Sequence, residues 1–138
     1  MTKEERIEKA VGLFKEGCNC SQSVVGAYAD LYGFTFEQAM HISASFGGGI
    51  GRMRETCGAA CGMFLLAGLE RCAKDGADRE GKAANYKLVQ ELAGKFKEEC
   101  GSLRCADLLG LSKKEPIVST PEARTPQYLS LIHISEPT

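Results

Sequence analysis

Residues 46–69 read FGGGIGRMRETCGAACGMFLLAGL, and we predict that the fold is arranged around this stretch. The glycine cluster at 47–51 predicts a turn or loop with unusual backbone angles. Thr56 offers a side-chain oxygen that can cap a helix, with Cys57 as the first helical residue. Because residues 59–69 carry no charge, we expect this helix in the middle of a bundle; it is too short to span a membrane.

The setting of Cys57 favours a reactive thiol. This cysteine begins a buried helix, follows a flexible glycine loop and lies near two cations in sequence, Arg52 and Arg54. Thiols near helix N-termini and cations have pKa values of roughly 3.5–7.5, compared with about 8.5 for a free cysteine. We therefore expect Cys57 to form a thiolate readily.

Length and composition indicate an ordinary single domain. The chain has 138 residues, with 17 Lys and Arg against 18 Asp and Glu. A net charge near zero gives no reason to expect nucleic acid or an anionic membrane as a partner. The N-terminal sequence MTKEERIEKA lacks the apolar core of a signal peptide, so we expect a cytoplasmic protein without membrane insertion.

Seven cysteines are unusual in a chain that shows no secretion signal. In a reducing compartment, an odd number of cysteines favours metal binding or redox chemistry over a framework of disulfides. We expect two or three of the seven to be small buried apolar residues instead.

The spacing of apolar residues and caps predicts an all-α fold, a single-domain bundle of about five to six helices around a central apolar helix at about 57–71. No segment shows the two-residue alternation of a β-strand. We expect the helices within residues 2–17, 19–33, 35–46, 57–71, 78–100 and 102–110, with a further helix start at 120–122.

The C-terminal residues change character abruptly. Ser130 begins the sequence SLIHISEPT, which reads like the translation of a sequencing adapter. We therefore expect residues 1–128 to form one helical redox-type domain, truncated near Tyr128, and residues 129–138 to be a non-native tail. The alternative is a short native C-terminal segment.

Three cysteines fall in the first turn of a predicted helix: Cys20, Cys57 and Cys105. Each follows a candidate cap residue: Asn19, Thr56 or Ser102. Unpaired backbone N–H groups and the helix dipole favour negative charge at such positions. Arg54 and Arg104, which lie near Cys57 and Cys105 in sequence, also favour the negatively charged thiolate. These three cysteines are our candidate redox thiols and metal ligands.

The other four cysteines have weaker arguments for function. Cys61 lies one turn beyond Cys57 and could share a metal with it, although core packing is the interpretation we favour. Cys18 could share a metal with Cys20 or could be a simple loop residue. The other two lie towards helix C-termini and are predicted to be structural or incidental: Cys72 and Cys100.

The glycine loop and its arginines form a second candidate binding element. It could bind phosphate as a nest of backbone N–H groups assisted by cations. Alternatively, its glycines let backbone approach a buried site near the central thiol. The candidate residues are Gly47, Gly48, Gly49, Arg52 and Arg54.

Residues 57–62, CGAACG, fit the CGAxxG motif of a known family. The flanking blocks agree with it: NCSQSV at 19–24, FGGG at 46–49 and the run from Gly-Ser to Leu-Leu-Gly at 101–110. Over roughly residues 5–128 the chain resembles the C_GCAxxG_C_C family. The combination of the motif with three ordered blocks is fairly specific.

The resemblance implies a small α-helical protein with redox activity and four characteristic cysteines. Three of the four map onto Cys20, Cys57 and Cys105, the same residues that helix position indicated. The family's fourth cysteine lies further downstream, where this chain runs into its unusual tail, so a four-cysteine site would be incomplete here. The resemblance names no substrate.

Three hypotheses about function follow. The first is an electron carrier with an iron–sulfur cluster or another metal on the three cysteines. The second is thiol–disulfide exchange, with Cys57 as the attacking thiolate and Cys20 or Cys105 as its partner. The third is a non-catalytic helical interaction module. A redox partner protein is implied by the first two, and a homodimer is left open.

Overall fold

Six α-helices make up most of residues 1–110, the part of the chain that the computed structural model describes. They are α1 (Lys3–Glu16), α2 (Cys20–Tyr28), α3 (Phe36–Ser43), α4 (Gly58–Glu70), α5 (Arg79–Cys100) and α6 (Cys105–Leu108). Two 3-10 turns extend α2 and α3: Ala29–Tyr32 and Ala44–Phe46. The prediction of an all-α, single-domain bundle is confirmed. The predicted helix start at 120–122 and the tail at 129–138 lie outside the described residues.

Capping boxes set the start of the first three helices. Thr2, Asn19 and Thr35 each accept a hydrogen bond from a backbone N–H three residues later, and the Glu or Gln side chain at that later position bonds back to the cap backbone. Such reciprocal bonds satisfy two N–H groups that the helix itself leaves unpaired. The position of Cys20 as first residue of α2 therefore follows from local sequence.

The centre of the bundle is shared by α2 and α4. Almost every residue of α2 is buried, and this helix packs against α1, α3 and α4. A Cβ atom added at Gly62 of α4 would lie 3.1 Å from the Ser21 carbonyl oxygen and 3.1 Å from the Val24 Cβ atom. Close approach at this glycine thus sets the distance between the two helices.

The central helix differs from its prediction in two respects. It begins at Gly58, so Cys57 is its N-cap residue rather than its first helical residue, and Thr56 does not cap it. Its outer side, including Phe64 and Leu65, is only partly buried. The helix is apolar all round, but α5 covers part of this surface and leaves the rest near solvent.

A single apolar stripe holds α5 on the bundle. Leu88, Leu92 and Phe96 are buried at intervals of four residues, which places them on one helix face. Tyr86 of the same helix lies outside this stripe and is 59% exposed. No helix among residues 1–110 combines the length and apolar character needed to cross a membrane.

A buried arginine links α1 to the end of α2. Arg6 donates to the Ala27 carbonyl oxygen at 2.8 Å and to both carboxylate oxygens of Asp30 at 2.8 and 3.2 Å. Its guanidinium also lies 5.5 Å from the ring centroid of Tyr28, within cation–π range. The apolar pattern of α1 gave no indication of this contact.

Candidate functional site

An antiparallel β-bridge joins the segment before α4 to the segment before α6. Two backbone hydrogen bonds close it: Cys57 N–H donates to the Leu103 carbonyl at 2.6 Å, and Cys105 N–H donates to the Glu55 carbonyl at 2.6 Å. Two cysteines that are 48 residues apart in sequence are therefore held in one local structure.

The bridge places both cysteines on the same side. Thr56 and Arg104 are its opposed residues, and Cys57 and Cys105 each follow one of them. Both cysteines are buried whereas Thr56 and Arg104 are partly exposed, and the Cys105 thiol is close enough to raise the pKa of Cys57. They occupy diagonal positions, for which Cα atoms are typically about 7–8 Å apart.

Burial dominates the chemistry of the Cys57 thiol. The residue is only 1% exposed, and this burial raises the pKa of Cys57 to about 12. The backbone N–H groups of Ala60 and Ala59 lower the pKa, while Cys105 and Cys61 raise it further. The prediction of a readily formed thiolate at Cys57 is therefore wrong for the free protein, because the loss of hydration outweighs the stabilisation by the first turn of α4.

The Cys105 thiol has a cation beside it. The Arg54 guanidinium donates to the Cys105 sulfur at 3.6 Å, whereas Arg104 lies 3.9 Å from the Asp107 carboxylate. Residue Cys105 begins α6, and the Ser102 hydroxyl accepts from the Arg104 N–H rather than capping this helix. Arg54, which we predicted to assist Cys57, thus donates to the Cys105 thiol.

The glycine loop adopts a left-handed backbone. Its positive φ angles are 65°, 80°, 63°, 56°, 63° and 62° at Gly48, Gly49, Ile50, Gly51, Arg52 and Arg54. Non-glycine residues in this region cost roughly 1–2 kcal/mol each. A Cβ atom added at Gly49 would lie 2.6 Å from the Cys105 Cβ atom. The glycine therefore lets backbone lie directly on Cys105, whereas the sequence-based interpretation had expected a close approach near Cys57.

Cys20 lies beside Gly58, the first residue of α4. Cys20 is 3% exposed, and its Cβ atom would be 3.3 Å from a Cβ atom added at Gly58. A Cβ atom added at Gly47 would lie 2.6 Å from the Asn19 side chain, so the loop also touches the cap of α2. Residues 47–58 thus contact both Cys20 and Cys105.

The remaining cysteines have individual surroundings. Cys18 Sγ lies 3.8 Å from Met40 Sδ, and the Cys61 thiol donates to the Thr56 carbonyl at 3.9 Å. Burial raises the pKa of Cys61 to about 11. Cys72 is exposed and Cys100 is partly buried.

The described geometry does not fit an iron–sulfur cluster. All seven cysteines lie within residues 1–110 and are free thiols. No group of three or more His, Cys, Asp or Glu side chains in this part of the chain could hold a metal ion. Because iron–sulfur clusters are held by four cysteine thiolates, we derive no chemical step through one.

These features define a class of small helical protein whose site is built from buried cysteines around a glycine loop. The sequence profile described as "Putative redox-active protein (C_GCAxxG_C_C)" matches residues 18–129 of the 138-residue chain. The chain therefore belongs to the C_GCAxxG_C_C family. No curated protein and no solved structure matches it.

Two contacts of the site were missed from sequence. They are the bridge between residues 56 and 104 and the hydrogen bond from Arg54 to Cys105. Both join segments about fifty residues apart, and no local pattern marks their pairing. The neighbouring motif blocks predicted that these residues belong to a site, but gave no pairing between them.

Proposed function

We propose that this protein is a dithiol redox protein in which Cys57 and Cys105 cycle between two thiols and one disulfide. The observation that carries the proposal is the backbone bridge, which holds both side chains on one face through two short hydrogen bonds. A disulfide requires Cα atoms within about 7 Å, so the diagonal pair needs a shift of about 1 Å to close.

Cys105 is the attacking thiol in this proposal. Its sulfur accepts a hydrogen bond from Arg54, and a cation at that position stabilises negative charge on the attacking sulfur. Cys57, which was our sequence-based choice of nucleophile, has a raised pKa, and no cation within residues 1–110 is among the causes of its shift. The roles of the two cysteines are therefore reversed relative to the prediction.

The exchange takes place with a disulfide of a partner protein. The Cys105 thiolate attacks one partner sulfur, which forms a mixed disulfide and releases the other partner sulfur as a thiolate. The Cys57 sulfur, after losing its proton, attacks Cys105 and displaces the second partner thiolate. The partner gains two electrons and two protons, and Cys57 and Cys105 lose them.

The protein is expected to act as the reductant of its partner. A disulfide oxidises strongly when one of its thiols has a low pKa, because the reduced form is then stabilised. Burial raises the pKa of Cys57 to about 12, so this thiol stays protonated at neutral pH and the reduced form gains no stabilisation from a Cys57 thiolate. We expect a midpoint potential of about −200 to −270 mV, the range of glutaredoxins and thioredoxin.

The iron–sulfur electron carrier stays a prediction. Its support is that Cys20 approaches the residue that follows Cys57, so the three family cysteines border one loop. Its difficulty is that no three of the described ligands assemble. Iron and sulfide analysis after anaerobic purification tests it, and absence of both would remove it.

Redox titration combined with mass spectrometry tests the proposed disulfide. Trypsin cuts after Arg54 and Arg104, which places Cys57 in the 55–71 peptide and Cys105 in the peptide that begins with it. A Cys61→Ser background leaves one cysteine in each peptide. We expect the two peptides to be disulfide-linked after equilibration in oxidised glutathione and separate in dithiothreitol.

Two variants make the result specific. Cys57→Ser is expected to abolish the linked peptide and to trap the mixed disulfide on Cys105. Cys72→Ser, which removes an exposed thiol remote in sequence, is the matched control and is expected to leave the titration unchanged. If the two peptides remain separate at every glutathione redox potential tested, the proposal is contradicted.

A further inference from the structure

Diagonal positions across a β-bridge leave room for a metal ion between two cysteine sulfurs. Cys57 and Cys105 are diagonal across the bridge, where Cα atoms are typically about 7–8 Å apart. A disulfide is most relaxed at a Cα separation of about 5.5–6 Å. A linear sulfur–metal–sulfur unit spans about 4.6 Å between sulfurs, taking twice a metal–sulfur bond of about 2.3 Å.

Charge at the site is compatible with a monovalent ion. Two thiolates and one monovalent cation form a complex with a single negative charge. The Arg54 guanidinium, which donates to the Cys105 sulfur, lies beside this complex, and both cysteines are at most 2% exposed. Because an isolated charge is costly to bury, a neighbouring cation favours the anionic complex.

The sulfur ligands further restrict which metal ion the site would bind. Thiolates are soft ligands that select soft ions such as Cu(I), while hard ions such as Mg²⁺ prefer oxygen. Burial of the site also favours Cu(I), because a weakly hydrated ion loses little hydration free energy when water is excluded.

We propose that Cys57 and Cys105 form a two-coordinate site for Cu(I), with Arg54 neutralising the resulting bis-thiolate complex. This inference rests on the thiol pair of the proposed function but does not need disulfide exchange. In the binding step, two thiols and one Cu(I) ion give one complex of charge −1 and release two protons. No electron is transferred, so the step needs no oxidant or reductant.

Anaerobic titration of the full chain with Cu(I) tests the site. Cu(I) is supplied as its acetonitrile complex and competed against the chelator bathocuproine disulfonate. We expect one equivalent per chain to be retained, and X-ray absorption to show two sulfur neighbours. Cys57→Ser and Cys105→Ser are each expected to abolish retention, whereas the exposed-thiol variant Cys72→Ser leaves it unchanged.

Arg54→Gln provides a graded test of the charge argument. Loss of a hydrogen bond to a charged group is expected to weaken Cu(I) affinity by about 10- to 100-fold. The stoichiometry is expected to stay at one, because both sulfurs remain.

Protection from alkylation gives a readout that needs no variant. Cu(I) is expected to slow alkylation of Cys57 and Cys105 by at least tenfold while Cys72 reacts at its usual rate. Retention of Cu(I) by both serine variants, three or four sulfur neighbours, or unprotected Cys57 would each overturn the inference. The disulfide titration is done without metal, so its outcome is independent of this one.

Discussion

Replacing Gly49 with Ala tests the close contact between the glycine loop and the thiol site. The added Cβ atom would lie 2.6 Å from the Cys105 Cβ atom, 2.8 Å from the Arg54 Cα atom and 2.8 Å from the Glu55 nitrogen. Two of these three atoms belong to the backbone and cannot rotate away. The loop must therefore move away from α6, or the bridge next to it must open.

The expected cost has two parts. Alanine at the φ angle of +80° found at Gly49 costs about 1–2 kcal/mol of backbone strain. Inserting a methyl group into a packed site adds about 1–3 kcal/mol. We therefore expect Gly49→Ala to lower the free energy of unfolding by about 2–5 kcal/mol, and to speed alkylation of Cys105 in the folded protein.

Gly51→Ala is the matched control. Gly51 has a φ angle of +56°, but its added Cβ atom would meet only the Ser45 carbonyl oxygen, at 4.0 Å. This variant carries backbone strain without the clash, so we expect a loss of about 1–2 kcal/mol and no change in Cys105 alkylation.

Urea unfolding followed by helical circular dichroism measures both variants, with alkylation rates read by mass spectrometry under native conditions. A lower urea midpoint with an unchanged m-value would show that stability has fallen while the surface exposed on unfolding stays the same. Equal losses in the Gly49 and Gly51 variants, with equal alkylation rates, would refute the close approach of the loop to Cys105.

Three further predictions concern stability. Ser21 has a fully buried hydroxyl with no hydrogen-bond partner, so Ser21→Ala is expected to raise the free energy of unfolding by about 1 kcal/mol in urea titrations. Ser23→Ala is the control and is expected to give no gain, because the Ser23 hydroxyl is bonded at 2.8 Å. Arg6→Met is expected to cost about 2 kcal/mol in the same assay, because the apolar stem is kept while the bonds to Asp30 and a carbonyl are lost. The raised pKa of Cys57 stabilises the fold below the reference pKa of 9.0, and this stabilisation is lost as pH rises towards 12. Unfolding free energies measured between pH 8 and 11 should therefore fall less steeply in Cys57→Ser than in the parent, by up to about 1.4 kcal/mol per pH unit.

Helix starts were predictable where the determining contacts are local. The boxes at Thr2 and Thr35 each involve a partner three residues away, so the sequence contains both halves of the interaction. The same holds for Asn19, which fixed the position of Cys20 at the start of α2. Short-range hydrogen bonds need no knowledge of the tertiary structure.

Helix starts were wrong where a distant segment competes for the backbone. Ser102 and Thr56 both have side chains suited to capping, yet neither caps α6 or α4. The bridge between Thr56 and Arg104 fixes both segments as extended chain up to the cysteines, and each helix begins only after it. Tertiary hydrogen bonds thus override a local preference worth about 1 kcal/mol.

The upward shift of the Cys57 pKa depends on burial, a quantity that the sequence alone does not give. The helix N-terminus was predicted, and its N–H groups do lower the pKa of this thiol. Their effect is limited to the first turn and is typically about 0.3–1 kcal/mol at exposed sites. Desolvation of a fully buried group can shift a pKa by up to about 3–5 units, equivalent to roughly 4–7 kcal/mol. Burial therefore decides the outcome, and the segment that pairs with Cys57 through the Leu103 carbonyl is distant in sequence. A thiol at a helix start is consequently a thiolate candidate only after its exposure is known.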